Sequence, residues 1–271
     1  MLINQIIFGG VSIATLSRRK KAYELISYIL KRGIRSFDTA PLYSLGYSEL
    51  LLGQLLKGIS GIKLTSKFGG LGYPNPKANL PTKLVMPLNY LRRYLLANKK
   101  LIQNQIKTEE VLNRKNINSK EAIINPFNES LKRLQKKNIE SYLLHEIIPF
   151  DLPCDWEQTL LDLKNSGLVK QIGYGGGFSE ELFNRKLPSW LTIMQIPFPL
   201  RNTKKQNSLR KWLDLNPTKE IRFYGLFQNG VDSTQISLAK EFLDDFSNTK
   251  ILFSCRSKER FDSNLKMFGI L

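Results

Sequence analysis

Four side chains of this 271-residue sequence could together move a proton: Asp38, Tyr43, Lys67 and His145. An ammonium group favours the ionised form of a nearby phenol, so Lys67 is expected to lower the pKa of Tyr43. Asp38 would orient Lys67 and balance its charge. Tyr43 could then exchange a proton with a carbonyl or alcohol oxygen while a hydride is transferred at carbon. His145, the only histidine in the sequence, would orient that oxygen as a neutral N–H donor.

Taken one at a time, these residues have more ordinary explanations. An aspartate at a strand end, such as Asp38, more often caps a helix or joins an ion pair. A single histidine in a leucine-rich segment, such as His145, is by default a core residue. The set gains significance because each member lies at or just after the end of a predicted strand. Barrel enzymes assemble their sites from residues at such strand ends.

Short apolar segments alternate with longer amphipathic ones along the sequence. The predicted strands span residues 4–8, 34–38, 62–67, 139–145, 169–174, 191–196, 220–226 and 250–254. Helical spacing fills most gaps, as at residues 20–32, 48–57, 119–137, 156–166, 234–246 and 259–268. Strands that alternate with helices pair in parallel, and closing eight of them into a barrel removes both sheet edges. The sequence therefore predicts an α/β fold, a single-domain (β/α)8 TIM barrel over residues 1–271.

A doubly wound open sheet is the alternative with the same alternation. Its dinucleotide-binding form would carry the glycine pattern GxGxxG after a strand. The nearest candidate is the glycine cluster at residues 173–177, but Phe178 stands where the third glycine belongs. This mismatch favours the barrel.

Residues 69–118 interrupt the regular alternation with a long insertion after the third predicted strand. Long connections in compact domains are usually functional or disordered. The insertion would leave the rim beside Lys67, and we expect it to cap the mouth of the site. Tyr73, Tyr90 and Tyr94 would then supply apolar pocket wall. The alternative is a solvated insertion without a function.

Composition narrows the class of protein. With 42% hydrophobic residues the chain can bury a core, and 41 basic against 23 acidic residues give a net charge of +18. The basic residues occur in scattered pairs, which favours solvated helix surface over specific nucleic-acid binding. No apolar run is long enough to span a membrane. The two cysteines are far apart and form no metal-binding pattern, so we expect a cytoplasmic protein without a metal.

Three motifs resemble the aldo-keto reductase family, in its sugar-dehydrogenase-like branch. Residues 37–53, FDTAPLYSLGYSELLLG, resemble the signature DTAxxYGxGxSExxLG. Residues 65–69, TSKFG, resemble the lysine strand TKxG, and the segment from 130 to 145 resembles SLxRL followed by DLYLLH. The resemblance implies that the family's catalytic tetrad is Asp38, Tyr43, Lys67 and His145.

The resemblance extends to segments that bind a nicotinamide cofactor in this family. Residues 194–196, MQI, are similar to the family's NQIEY, which implies that Gln195 binds the carboxamide of the nicotinamide. Residues 223–230, FYGLFQNG, are similar to AYSPLGQG, which implies that Tyr224 stacks on the nicotinamide ring. After the eighth predicted strand, Arg260 and Asn264 match family residues that bind the adenosine phosphate, and Arg256 adds a second guanidinium group. A cluster of arginines suits a 2′-phosphate, so NADP(H) is favoured over NAD(H).

The sequence departs from the family at two places near the expected site. The family's GVSN turn is replaced by Gly173-Tyr174-Gly175-Gly176, which lacks the serine and asparagine side chains that contact the carboxamide. Ser44 also replaces the glycine that usually follows the catalytic tyrosine.

Taken together, these observations predict an NADP(H)-dependent oxidoreductase that acts on an aldehyde, a ketone or a sugar, with Tyr43 as its general acid and base. One alternative is a regulatory module that binds the cofactor with little turnover. A second alternative, a basic nucleic-acid-binding protein, depends on charge alone.

Overall fold

The computed structural model describes residues 3–16, 19–44, 46–69, 119–150, 152–199, 202–227 and 233–271. Eight parallel strands pair in chain order, and the eighth strand pairs with the first, so that the sheet is a closed barrel. The predicted (β/α)8 barrel is therefore confirmed. The strands are β1 Ile6–Gly9, β2 Ser36–Asp38, β3 Lys63–Gly69, β4 Ile139–His145, β5 Val169–Gly175, β6 Leu191–Pro197, β7 Glu220–Tyr224 and β8 Thr249–Phe253.

The described residues also form eight α-helices around the barrel. They are α1 Arg19–Lys31, α2 Tyr47–Leu55, α3 Glu121–Leu134, α4 Cys154–Asn165, α5 Glu180–Asn184, α6 Thr203–Leu215, α7 Ser233–Asp245 and α8 Lys258–Met267. The six helical segments predicted by spacing agree with the observed helices to within three residues at each end. At α6, which was not among them, the Asn202 side chain caps the helix by accepting a hydrogen bond from the Lys205 N–H at 2.9 Å.

Strand β3 shows how the alternation of side chains places the site residues. Phe68 faces outward, where its ring stacks on Tyr142 at a centroid distance of 5.0 Å and contacts Trp156 of α4. Thr65 and Lys67 lie at the other parity and face the barrel interior, because successive side chains of a strand point to opposite faces. The apolar face therefore anchors β3 to the helices and directs Lys67 inward.

The long connection after β3 begins where the sequence predicted. β3 ends at Gly69, and the next described helix, α3, begins at Glu121. The expected cap, including Tyr73, Tyr90 and Tyr94, lies in residues 70–118, outside the described part of the chain. Within the described ranges, no helix is both long and apolar enough to cross a membrane.

Candidate active site

Lys67 lies at the centre of the candidate site, at the carboxyl end of β3. Its buried ammonium group donates hydrogen bonds to Asp38 Oδ1 at 2.6 Å, to the Thr39 carbonyl at 3.0 Å and to the Tyr43 hydroxyl at 3.2 Å. An ammonium has three N–H donors, so all of its hydrogens have an acceptor. This saturation fixes the position of the Lys67 nitrogen relative to the phenol.

The ion pair between Lys67 and Asp38 keeps the lysine charged. Burial lowers the pKa of the Lys67 ammonium, but the Asp38 carboxylate and the Tyr43 oxygen raise it by more, so the net shift is upward. Lys67 is therefore a permanent cation beside the phenol at neutral pH. One carboxylate oxygen of Asp38, Oδ2, is buried without a hydrogen-bond partner among the described residues.

Tyr43 lies in the turn between β2 and α2, and the backbone of this turn is specialised. The Tyr43 N–H donates to the Ala40 carbonyl at 3.0 Å, and both Ser44 and Gly46 have positive φ angles, 54° and 80°. Ser44 therefore adopts the left-handed conformation that a glycine would take most easily. The serine that stands where the family has glycine thus has a backbone conformation that glycine favours.

The pKa of the Tyr43 phenol is raised, which corrects the expectation from the sequence. Burial raises the pKa, and the nearby Lys67 ammonium offsets only part of that increase. Tyr43 is therefore protonated at neutral pH. Because Lys67 donates to its oxygen, the phenolic hydrogen is directed away from Lys67.

His145, the last residue of β4, lies across from the phenol. Its ring is perpendicular to that of Tyr43, with an interplanar angle of 89° and centroids 6.3 Å apart. Burial, with a smaller effect from the Lys67 charge, lowers the pKa of the imidazole to about 3. This shift agrees with the expected neutral imidazole. His145 Nδ1 is buried and lacks a partner among the residues that the structure describes.

A cavity of about 340 Å³ opens in front of these side chains. Its wall includes Tyr43, Lys67 and His145 together with two predicted cofactor residues, Gln195 of β6 and Tyr224 of β7. Gln195 is buried, and its Oε1 accepts no hydrogen bond from the described residues. An unpaired buried amide oxygen is costly, so it indicates a place for a ligand donor.

Tyr224 is held against the end of β5. Its hydroxyl donates to the Gly176 carbonyl at 3.2 Å, which fixes the ring at the cavity wall. Burial and, to a smaller extent, Glu146 raise the pKa of this phenol to about 12, so Tyr224 stays neutral. The cavity thus has a flat, uncharged aromatic wall beside Gln195.

The three remaining predicted cofactor residues follow β8, outside the cavity wall. Arg256 and Arg260 are exposed around the start of α8, where the Ser257 hydroxyl caps the helix by accepting the Arg260 N–H at 3.2 Å. Asn264 is buried on the same helix, and neither its Oδ1 nor its Nδ2 has a partner in the described ranges. Exposed guanidinium groups at a helix start and an unpaired buried amide fit a phosphate and a base.

Sequence reasoning missed a buried network that supports the site from behind. The Glu49 carboxylate is fully buried in α2, and its two oxygens accept from the Ser66 hydroxyl of β3 and from Arg133 Nε of α3, both at 2.6 Å. Ser66 is the neighbour of Lys67, and α2 directly follows the Tyr43 turn. Glu49 and Arg133 both lie in the quoted motifs, so the signal for this network was present.

A second residue that sequence reasoning missed is Glu146, which lines the cavity next to His145. The only available signal was its position directly after the predicted histidine. An acidic residue in a loop is usually solvated, so no pattern in the sequence placed Glu146 at the site.

Solved structures with the same fold are numerous, although their sequences are distant. A Pseudomonas aeruginosa protein provisionally assigned as an aldo-keto reductase is 20% identical, with a TM-score of 0.69 over 97% of this chain and 89% of its own. An aldo-keto reductase from Klebsiella pneumoniae, solved in complex with NADPH, is 16% identical, with a TM-score of 0.64 over 98% of this chain and 86% of its own. A glycerol dehydrogenase from Gluconobacter oxydans has the same identity, TM-score and coverage.

The family assignment comes from the sequence itself. No curated protein sequence matches the chain significantly. The sequence profile of the aldo/keto reductase family, in contrast, matches residues 5–182, which include all four members of the predicted tetrad. The same residues meet at the carboxyl rim of a closed eight-stranded barrel. The chain therefore belongs to the aldo/keto reductase family.

Proposed function

We propose that the protein is an NADP(H)-dependent oxidoreductase that interconverts a carbonyl compound and its alcohol. The observation that carries the proposal is the Lys67 ammonium, which is fixed by Asp38 and donates to the Tyr43 hydroxyl at the wall of a cavity. The family supports the reaction class, and the Klebsiella pneumoniae neighbour with bound NADPH supports the cofactor.

Tyr43 is the general acid in the direction of reduction. Its raised pKa keeps the proton on the phenol until a stronger base forms, which is the oxygen of the carbonyl as hydride reaches the carbon. The proton then passes from Tyr43 to that oxygen, and the phenolate left behind lies 3.2 Å from the Lys67 ammonium. Lys67 thus stabilises the charge that forms during the reaction. In the oxidation direction the Tyr43 phenolate, stabilised by Lys67, takes up the proton from the alcohol.

His145 acts as an uncharged donor to the substrate oxygen. Because the pKa of the imidazole is about 3, the ring carries one N–H at neutral pH and adds no charge near Lys67. A neutral donor orients the carbonyl without becoming a competing acid. The roles of Tyr43 and His145 therefore remain separate.

The cofactor would be held at two places. Gln195 and Tyr224 line the cavity and would bind the nicotinamide, which supplies the hydride when it is bound. Arg256, Arg260 and Asn264 would bind the adenosine end. Charge-assisted hydrogen bonds from two guanidinium groups suit a dianionic 2′-phosphate, which favours NADP(H) over NAD(H).

A regulatory module that binds the cofactor with little turnover is the second candidate. The glycines at the end of β5 favour it, since Gly175 and Gly176 offer no side chain for the carboxamide. The intact contacts among Asp38, Lys67 and Tyr43 favour catalysis, because a binding module has no need of a proton donor.

Turnover assays separate these two candidates. Purified protein is incubated with NADPH and a panel of aldehydes, ketones and sugars, and both NADPH loss and alcohol formation are measured. A Tyr43→Phe variant, purified in parallel, controls for contaminating reductases. Equimolar consumption and product formation by the wild type alone would support the proposal. Tight NADPH binding without turnover on any carbonyl would favour the regulatory module, and absence of dinucleotide binding would refute both.

A further inference from the structure

Glu146 presents a carboxylate to the cavity from a specialised backbone position. Its φ angle is 59°, in the left-handed region that non-glycine residues seldom occupy. The conformation is fixed because the Glu146 N–H donates to the Gly175 carbonyl at 3.0 Å, while Glu146 Oε2 accepts the Gly177 N–H at 3.1 Å. Such a conformation persists only where its surroundings stabilise it.

The carboxylate occupies space that a side chain at residue 176, directly after β5, would otherwise need. A Cβ atom added to Gly176 would lie 2.8 Å from Glu146 Oε2 and 2.4 Å from the Tyr174 hydroxyl. A side chain at residue 176 would therefore require both the Tyr174 hydroxyl and the Glu146 carboxylate to move. Gly176 therefore leaves room for Glu146, the residue after β4. The polar group at this place comes from the end of β4 and not from residue 176.

Among the described residues of the cavity wall, Glu146 is the charged group without an ion-pair partner. Lys67 is neutralised by Asp38 at 2.6 Å, and among the described residues no cation pairs with Glu146. Glu146 accepts from the Gly177 N–H just after β5, and the carbonyl of the adjacent Gly176 accepts from the Tyr224 hydroxyl. The anionic wall is therefore on the side of Tyr224 and Gln195, where the nicotinamide is proposed to bind.

We infer that Glu146 is a cofactor-binding residue that stabilises the oxidised nicotinamide relative to the reduced one. This inference rests on the proposed function. The oxidised ring is a cation and the reduced ring is neutral, whereas the rest of the dinucleotide is the same in both forms. A carboxylate beside the ring attracts the cation and has little effect on the neutral form. Glu146 would thereby make the bound reduced cofactor a better hydride donor.

The test compares the binding of oxidised and reduced cofactor to a variant that lacks the Glu146 charge. Dissociation constants for NADP+ and NADPH are measured by equilibrium titration for the wild type, for Glu146→Gln and for Glu24→Gln. Glu24 is an exposed residue of α1, away from the cavity wall, so it controls for the loss of one negative charge. Glutamine keeps the size of the side chain and its ability to accept from Gly177.

We expect Glu146→Gln to weaken NADP+ binding about twofold to fivefold, the range for an exposed charge pair, with NADPH binding and the control unchanged. In the wild type, the ratio of NADP+ affinity to NADPH affinity should also fall as the salt concentration rises, which requires no variant. Equal losses for both forms, or a KM effect on the carbonyl substrate alone, would overturn the inference and leave the proposed function intact. Failure of the wild type to bind either form would overturn both.

Discussion

Two polar clusters inside the barrel begin on the same strand and differ in how completely their hydrogen bonds are made. Thr65 and Lys67 of β3 both face the interior, one layer apart. At the upper layer, Lys67 joins Asp38 and Tyr43 at the carboxyl rim. At the lower layer, Thr65 accepts a hydrogen bond at 2.8 Å from the buried Arg222 of β7.

The lower cluster is closed. Arg222 donates from each of its three nitrogens, to Thr65, to Ser141 Oγ at 2.9 Å and to Glu220 Oε1 at 2.5 Å. Burial raises the pKa of the Glu220 carboxyl, but Arg222 and Lys250 lower it by more, so the carboxylate remains ionised and paired. A buried polar network with all partners present rigidifies the structure around it.

The upper cluster is open. Asp38 Oδ2, His145 Nδ1 and Gln195 Oε1 are buried and have no partner among the described residues. Unpaired polar atoms destabilise a fold, and of these two clusters only the upper one contains them among the described residues. The contrast indicates that the lower layer maintains the barrel, whereas the upper layer keeps hydrogen-bonding capacity for ligands. This division agrees with the general location of barrel active sites.

The largest effect should follow removal of the phenolic oxygen from the open cluster. Tyr43→Phe should lower kcat by about 10²–10⁴-fold, because the proton donor is lost while the ring still fills its place. NADPH affinity should change little, since Tyr43 is not among the proposed cofactor residues. Single-turnover rates and binding titrations on the same preparation test both statements. Wild-type turnover by the phenylalanine variant would show that Tyr43 is not the acid.

A substitution in the closed cluster should lower the free energy of unfolding and leave kcat unchanged. Arg222→Met removes the central cation and leaves Glu220 partly unpaired, which should lower the free energy of unfolding by about 3–5 kcal/mol. Arg210→Met is the matched control, because Arg210 forms ion pairs with Glu241 and Asp245 at the surface, where the expected loss is about 1 kcal/mol or less.

Urea unfolding of both variants measures this difference, and kcat at a temperature where each is folded measures the chemistry. A large fall in kcat for folded Arg222→Met would contradict the separation between the two layers.

The sequence predicted the open cluster better than the closed one, for physical reasons. Strand ends and the types of Asp38 and Lys67 are local features, whereas a charged residue within a strand, such as Arg222, ordinarily indicates exposure. Its partners Thr65 and Ser141 are 157 and 81 residues away, so only closure of the barrel brings them together. The sign of the Tyr43 pKa shift was wrong for a related reason, since burial is a property of the whole fold.

The next effect concerns the exposed arginines beyond the open cluster. Arg260→Ala should weaken NADPH binding by about 1.5–3 kcal/mol, because a charge-assisted bond to the 2′-phosphate is lost, and NADH binding should stay nearly constant. Lys266→Ala is the control, since it removes one exposed positive charge from the last turn of the same helix. Isothermal titration with both cofactors checks the difference. Equal losses for NADPH and NADH would assign Arg260 to the shared part of the cofactor or to the fold.

The smallest effect is a pH dependence of stability that comes from His145. Its folded pKa of about 3 lies below the unfolded value of 6.5, so the unfolded chain binds an extra proton at intermediate pH. Stability is therefore lost as the pH falls from 6.5 towards 3, and the loss is complete below the folded pKa. Between pH 7 and pH 5 the wild type should lose about 2 kcal/mol more than His145→Gln, which has no such proton. Urea unfolding of both proteins at the two pH values isolates this difference, because the contributions of their shared acidic residues to the pH dependence of stability cancel. Parallel pH dependence of the two proteins would mean that the folded imidazole titrates normally and that His145 is charged, not neutral, beside Lys67 below pH 6.5.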